Sequence, residues 1–247
     1  MKPRVVILCL SSDFGCQVQM SNYPKLLEML STFELAYWQL VSSAPMPDAY
    51  DIAIIEGAVT TDEQIALLEE VRATASVVIA LGACAVTGGI PGLASQRGIR
   101  TQLKEVYGSK SSRIQSDARK PAPISDHIKV DFRIAGCPIA PDELSRILQR
   151  ALKSLVDNPE RQSMCGECKI AENMCLWTGG TPCLGLIARG GCNATCVSRG
   201  RACMACRGIA HDANLASAYH FADLYGCPKE EFDALIDIYN AAQEVLS

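Results

Sequence analysis

The sequence predicts an α/β protein: a doubly wound parallel sheet, followed by a small, irregular, cysteine-rich unit. Three observations predict it. Short apolar runs alternate with helical patterns through roughly the first 155 residues, the signature of strand–helix–strand units whose sheet is covered on both faces. From about residue 160 to 210 that periodicity gives way to glycine and cysteine. Eight of the thirteen cysteines fall between Cys165 and Cys206, a density that in a reducing compartment points to metal rather than disulfides.

Taken in order, Val5–Leu10 reads as a buried strand and Tyr23–Phe33 as a helix. Glu34–Leu40 and Ile52–Ile55 read as the next strands. Thr60 and Thr61 before Asp62, Glu63 and Gln64 form a capping-box pattern, which starts a helix running to about Ala73. Ser76–Leu81 and Phe132–Ala135 are further strands, and the polar, proline-bearing stretch Ser109–Ser125 reads as a surface insertion. Pro141 opens a helix whose apolar stripe is Leu144, Ile147, Leu148, Ala151, Leu152 and Leu155. Asp157-Asn158-Pro159 ends it and marks a boundary between residues 1–158 and 159–247. The second unit has too little periodicity to bury an ordinary core, so metal should organise it. Helical spacing returns over Lys229–Val245 through Phe232, Leu235, Ile236 and Tyr239.

Composition narrows the functional classes. The net charge is −4 and no long basic run exists, which argues against nucleic acid as a partner. No stretch approaches the ~20 apolar residues of a membrane helix. Met-Lys-Pro-Arg is followed by an apolar run shorter than a signal h-region of ~7–15 residues, with no small-residue cleavage site after it and no twin-arginine signal. The expected location is the cytoplasm, with no membrane association.

In a doubly wound sheet, ligands lie beyond the carboxyl ends of the strands. At such ends stand Ser11-Ser12-Asp13-Phe14-Gly15-Cys16, then Glu56-Gly57-Ala58, then Gly82-Ala83-Cys84-Ala85, then Gly136-Cys137-Pro138. Three cysteines thus converge on one rim, each near a glycine that lets backbone approach a bulky ligand. Asp13 stands three residues before Cys16, a Cys-x-x-Cys pair with oxygen in place of one sulfur. Each cysteine alone could be a small buried hydrophobe, and Asp13 alone a turn or cap residue. The remaining eight fall as Cys165-x2-Cys168-x6-Cys175-x7-Cys183 and Cys192-x3-Cys196-x6-Cys203-x2-Cys206. Each set supplies the four thiolates of an iron–sulfur cluster; two zinc knuckles are the rival reading. Setting aside Cys9, inside the first strand, and Cys227, before Pro228, leaves eleven cysteines; Asp13 brings the set to twelve, three sites of four. His127, His211 and His220 are isolated and read as surface or core histidines.

These residues resemble the small subunits of NiFe hydrogenases. The matching motifs are Asp13-Phe14-Gly15-Cys16, Glu56-Gly57-Ala58-Val59, Gly82-Ala83-Cys84-Ala85 with Gly88-Gly89-Ile90-Pro91, and Gly136-Cys137-Pro138 with Pro141. Cys183-Leu184-Gly185, Arg189-Gly190-Gly191-Cys192 and Cys203-Met204-Ala205-Cys206 continue the likeness. Cys165 in place of a distal histidine and Asp13 in place of a proximal cysteine are similar to the cytoplasmic multimeric (group 3-type) members, among them deazaflavin-reducing gamma and sulfhydrogenase delta subunits. The resemblance implies a flavodoxin-like first domain and three 4Fe–4S clusters. It implies Asp13, Cys16, Cys84 and Cys137 on the proximal one, Cys192, Cys196, Cys203 and Cys206 on the medial one, and Cys165, Cys168, Cys175 and Cys183 on the distal one. Spacing alone does not say which C-terminal quartet is medial. The implied partners are a NiFe large subunit and a flavin- or iron–sulfur-containing subunit that reduces a soluble carrier. Glu56 would relay protons, or serve only as a polar rim residue. The rim bearing Asp13, Phe14, Glu56, Gly88 and Gly89 should be buried against the larger chain. A zinc-stabilised interaction module, and an iron–sulfur subunit of a hydrogenase-like complex lacking the NiFe centre, stand as alternatives. The related small subunit of respiratory complex I shares the first domain but lacks the eight-cysteine extension.

Overall fold

The structure is a computed structural model and describes residues 2–114, 117–153, 155–157 and 162–243, apart from the side chains of residues 113 and 114. Asn158-Pro159, the boundary between residues 158 and 159, and residues 244–245 of the expected C-terminal helix lie outside the described residues; the helix opened by Pro141 already ends at Leu152, and the one opened by Lys229 at Asn240.

Seven strands are present among the described residues: β1 Arg4–Cys9, β2 Glu34–Trp38, β3 Ile52–Glu56, β4 Val59–Thr61, β5 Val77–Leu81, β6 Ala118–Ala122 and β7 Phe132–Ile134. Five of them form a parallel sheet in the order β2-β1-β3-β5-β7, the flavodoxin-like order with its switch point between β1 and β3. The helices are α1 Gly15–Ser21, α2 Leu26–Leu30, α3 Asp62–Thr74, α4 Gly82–Thr87, α5 Ile99–Tyr107, α6 Ser111–Ile114, α7 Pro141–Leu152, α8 Met164–Ile170, α9 Leu215–Leu224 and α10 Lys229–Asn240.

The strands are apolar throughout because both faces are covered. Val5, Ile7, Ile52, Ile54, Ile79 and Leu81 pack with Met20, Met29 and the α7 residues Leu144, Ile147 and Leu148. The alternate residues Val6, Leu8, Ala53, Ile55, Val78 and Ala80 pack on the other face with Leu68, Val71, Val86 and Ile124. Each fully buried valine, leucine or isoleucine among them contributes about 1.5–3 kcal/mol.

The capping expectation holds with a shift of one residue. The Thr61 hydroxyl accepts from Gln64 N–H at 3.2 Å, while Gln64 Oε1 accepts from Thr60 N–H at 2.7 Å. The helix expected over Tyr23–Phe33 is shorter, since Pro24 cannot donate and the chain turns before α2. Leu155 falls beyond α7 and is exposed. The stretch Ser109–Ser125 is more than a surface insertion: β6 pairs antiparallel with β4, and Ile124 is fully buried. The cysteine-rich segment also buries a core of its own. Trp177, Leu184, Ile187, Phe232 and Ile236 meet there, with Cys227 among them, because α9 and α10 supply the apolar faces that the segment lacks. Trp177 donates to Cys183 O at 2.9 Å and meets Phe221 edge-on at 5.6 Å.

Candidate functional site: three cysteine-lined cavities

Register builds the first cavity. Cys9 aligns with Glu56, Glu56 with Leu81, and Leu81 with Ile134, so the chain leaves four strands at one level. The loops and helix starts beyond that level surround a cavity of about 110 Å³ lined by Asp13, Cys16, Glu56, Gly82, Cys84, Cys137 and Pro138, among others. Gly82 has φ +85°, and a Cβ there would stand 2.5 Å from Cys16 Sγ, so the close approach of β5's end to Cys16 requires glycine. Cys16 is held by a buried carboxylate. Glu56 accepts from Cys16 N–H at 2.9 Å, Gln17 N–H at 3.3 Å and the Ser12 hydroxyl at 3.0 Å. Asp13 lines the same cavity while its Oδ1 accepts from Gly15 N–H at 2.9 Å; it makes the turn and faces the thiols at once.

The second cavity, about 80 Å³, is lined by Cys192, Cys196, Cys203 and Cys206 together with Cys137, Met164, Val197, Arg207 and Tyr239. The third, of similar volume, is lined by Cys165, Cys168, Cys175 and Cys183 with Met164, Trp177 and Val197. Every one of the twelve residues singled out from the sequence lines one of the three cavities, in the expected groups. Cys9 and Cys227 are buried and line none of the three. His211 and His220 are exposed and His127 is half-buried, all away from the thiols.

The cavities form a row. Cys137 lines the first and the second, whereas Met164 and Val197 line the second and the third. The 192–206 quartet therefore lies between the other two. A backbone amide bridges the second and third quartets: Cys203 N–H donates to Cys183 Sγ at 3.3 Å.

Burial shifts these thiols. It pushes Cys84, Cys165 and Cys206 up to about 11, and Cys16 and Cys203 further. Neighbouring charges add to this, those of Cys137 and Asp13 at Cys84 and that of Cys183 at Cys165. Thiols this protonated must lose protons to ligate a metal, so binding there is linked to proton release.

Several residues at the sites escaped the sequence reading. Arg207 is buried and donates through Nε to Gly190 O at 2.6 Å, through Nη1 to Ala135 O at 2.6 Å, and through both Nη atoms to Glu143 at 2.7 Å. It ties the loop before Cys192 to the end of β7 and to α7. Its only sequence signal is adjacency to Cys206. Glu167, inside Cys165-x2-Cys168, accepts from three amides of the Cys192 loop. The rim expectation needs correction. Glu56 is 1% exposed, and Gly88 and Gly89 are buried within this chain. A Cβ on Gly88 would stand 2.5 Å from Ala242 Cβ: the segment after α10 already covers that loop. Of the rim residues, Asp13 is exposed and Phe14 half-buried, and Cys137, Pro138 and Ile90 are exposed beside them.

A family model for the NADH ubiquinone oxidoreductase 20 Kd subunit matches residues 14–151, which takes in strands β2 to β7 and the rim loops from Phe14 on, with β1 and Asp13 before it. The chain is 32% identical to sulfhydrogenase 2 subunit delta of Pyrococcus furiosus, over 83% of this chain and 86% of that one. It is 31% identical to a vhu subunit of the F420-non-reducing hydrogenase of Methanocaldococcus jannaschii, over 83% and 81%. Its fold is similar to that of the Ni-Fe-Se hydrogenase from Desulfomicrobium baculatum, with a TM-score of 0.58 at 16% identity, covering 84% of this chain and 94% of that one. Sheet order, rim motifs and these matches together show that the chain belongs to the NADH ubiquinone oxidoreductase 20 Kd subunit family and, within it, to the small subunits of NiFe hydrogenases.

Proposed function

We propose that this chain conducts electrons between the NiFe site of a large subunit and a carrier-reducing subunit through three 4Fe–4S clusters. The observation that carries the reading is the row of three cavities, each lined by one of the three quartets, with Cys137 lining the second cavity as well as the first. Asp13, Cys16, Cys84 and Cys137 would hold the proximal cluster, Cys192, Cys196, Cys203 and Cys206 the medial one, and Cys165, Cys168, Cys175 and Cys183 the distal one. Residues 1–158 would form the unit holding the first, and residues 159–247 the unit holding the other two. When bound, such clusters supply centres that take up and release single electrons.

The chain's own residues hold and shield. Glu56 and Gly82 fix the Cys16 thiol, Met164 and Val197 fill the apolar space between the second and third cavities, and Trp177 closes the third from within. The Cys203–Cys183 bond sets the second and third quartets one amide apart, and Cys137 lines the second cavity as well as the first. Glu56, buried beneath the rim with its carboxylate accepting from Ser12, is also proposed to hold and pass a proton there. A cytoplasmic location belongs to the same proposal; among the described residues no helix is long and apolar enough to cross a membrane.

The zinc reading would place four thiolates around one ion at ~2.3 Å; the metal content separates it from the iron–sulfur reading. Metal and sulfide analysis of the anaerobically purified complex tests the proposal. About twelve irons, four per site, with matching acid-labile sulfide and little zinc are expected. Abundant zinc without sulfide would leave a zinc-stabilised module, and iron without a nickel-containing partner would leave a hydrogenase-like complex lacking the NiFe centre.

A further inference from the structure

Glu167 sits between two ligands proposed for the distal cluster, on α8, yet it does not line the distal cavity. Its carboxylate reaches the loop of Cys192 instead. Oε1 accepts from Gly191 N–H, and Oε2 accepts from Cys192 N–H at 3.2 Å and Ala194 N–H at 3.3 Å.

That loop has the form of an anion receptor. Asn193 and Ala194 are consecutive non-glycine residues in the left-handed region, with φ +53° and +48°. The turn they make leaves the Gly191, Cys192 and Ala194 amides bonded to one carboxylate. The anion here is a carboxylate of the chain itself. Room for it depends on the two preceding glycines. A Cβ on Gly190 would stand 3.1 Å from Glu167 Oε1, and one on Gly191 would stand 2.5 Å from Arg207 Nη2. The loop is thus clamped between an anion from the distal motif and a cation from the end of the medial motif.

We propose that Glu167 is a positioning residue for the medial cluster, acting through the Cys192 loop and keeping that cluster's reduction potential low. The inference rests on the function proposed above. Amides directed at cluster or ligand sulfur stabilise the reduced, more negative state and raise the potential. Glu167 withholds three amides from that role and places its own negative charge beside the Cys192 thiolate. Because Glu167 shares a helical turn with Cys165 and Cys168, the same turn that holds the distal cluster orients the medial loop.

The test is a redox titration followed by EPR, with iron content, on the purified complex carrying Glu167→Gln. Cys196→Ser identifies the medial signal, and Glu172→Gln, an exposed acid just past α8, controls for charge at a distance. Gln keeps an acceptor oxygen but not the charge, and Arg207 still anchors Gly190, so the variant should hold its iron. The medial midpoint should move to more positive potential, with the proximal and distal midpoints and the Glu172→Gln complex unchanged. Selective loss of the medial signal with about one third of the iron would equally support the role. An unmoved medial midpoint, an equal shift in Glu172→Gln, or uniform loss of all three signals would overturn it. If Cys196→Ser removes neither iron nor any signal, the medial assignment itself fails, and the inference falls with it.

Discussion

Asp13 shows how one residue satisfies two readings. Its carboxylate closes the turn onto Gly15 N–H and also faces Cys16, Cys84 and Cys137 across the first cavity. Which of the two matters is a question about donor hardness, since a carboxylate is a harder donor than a thiolate and changes both potential and lability of an iron–sulfur cluster. Asp13→Cys should keep the proximal cluster and move its midpoint, whereas Asp13→Ala should release that cluster's four irons more readily to a chelator. An unmoved midpoint in the first variant, with full iron in the second, would leave Asp13 as a turn residue only. The cysteines were legible because a thiol in a glycine-flanked strand end has few structural reasons to recur. Glu167 and Arg207 were not, because an acid or a base beside a cysteine has many, and their partners lie 24 and 64 residues away in sequence.

At the scale of elements, the buried strands were readable because burial on both faces demands continuous apolar runs. Helix α1 was not: its seven residues include glycine, serine and cysteine, and what starts it is Glu56, forty residues on, receiving the Cys16 N–H. The edge of the sheet depends on a similar long-range acid. Asp131 accepts from Arg72 of α3 at 2.6 Å and from Val78 N–H of β5 at 2.9 Å, joining helix, sheet interior and the start of β7. Burial raises its carboxyl, but the Arg72 and Val78 bonds outweigh that and hold it below the ordinary 3.8. A depressed carboxyl stabilises the fold at pH above 3.8 and loses that contribution as the pH falls through the lowered value. Asp131→Asn should therefore cost about 1–3 kcal/mol near neutrality. Melting temperatures of wild type and variant should converge as the pH falls below 3.8; a gap unchanged by pH would show that packing, not charge, is lost.

The whole molecule is a row of three cavities running from the sheet rim into the cysteine-rich segment, with α10 laid back across the junction. Thr87 of α4 donates to Tyr239 O at 2.6 Å, and Gln96 donates to Asp237 at 2.7 Å. At the rim end Asp13, Cys137, Pro138 and Ile90 stay open, with Ile90 45% exposed. These residues should be buried against the large subunit in an interface above ~2,000 Å². Ile90→Arg should lower co-purification of that subunit by roughly tenfold or more, about 1.4 kcal/mol or above, while the medial and distal EPR signals persist; undiminished co-purification would place the interface elsewhere. The fold class was legible in the chain because strand burial leaves apolar runs, and the eight later cysteines stood out as candidate ligands because thiols in clusters leave recurrent spacings, both of them local patterns; the proposed sharing of one site by Asp13, Cys16, Cys84 and Cys137 came from their place at strand ends and from the family resemblance. Tertiary structure alone decided the rest: that the 192–206 cavity is the middle one, that the segment after α10 packs on Gly88, and that Glu167 of one quartet holds the loop of the next. Each of these is a contact between residues far apart in the chain, set by how layers pack, and no local pattern encodes it.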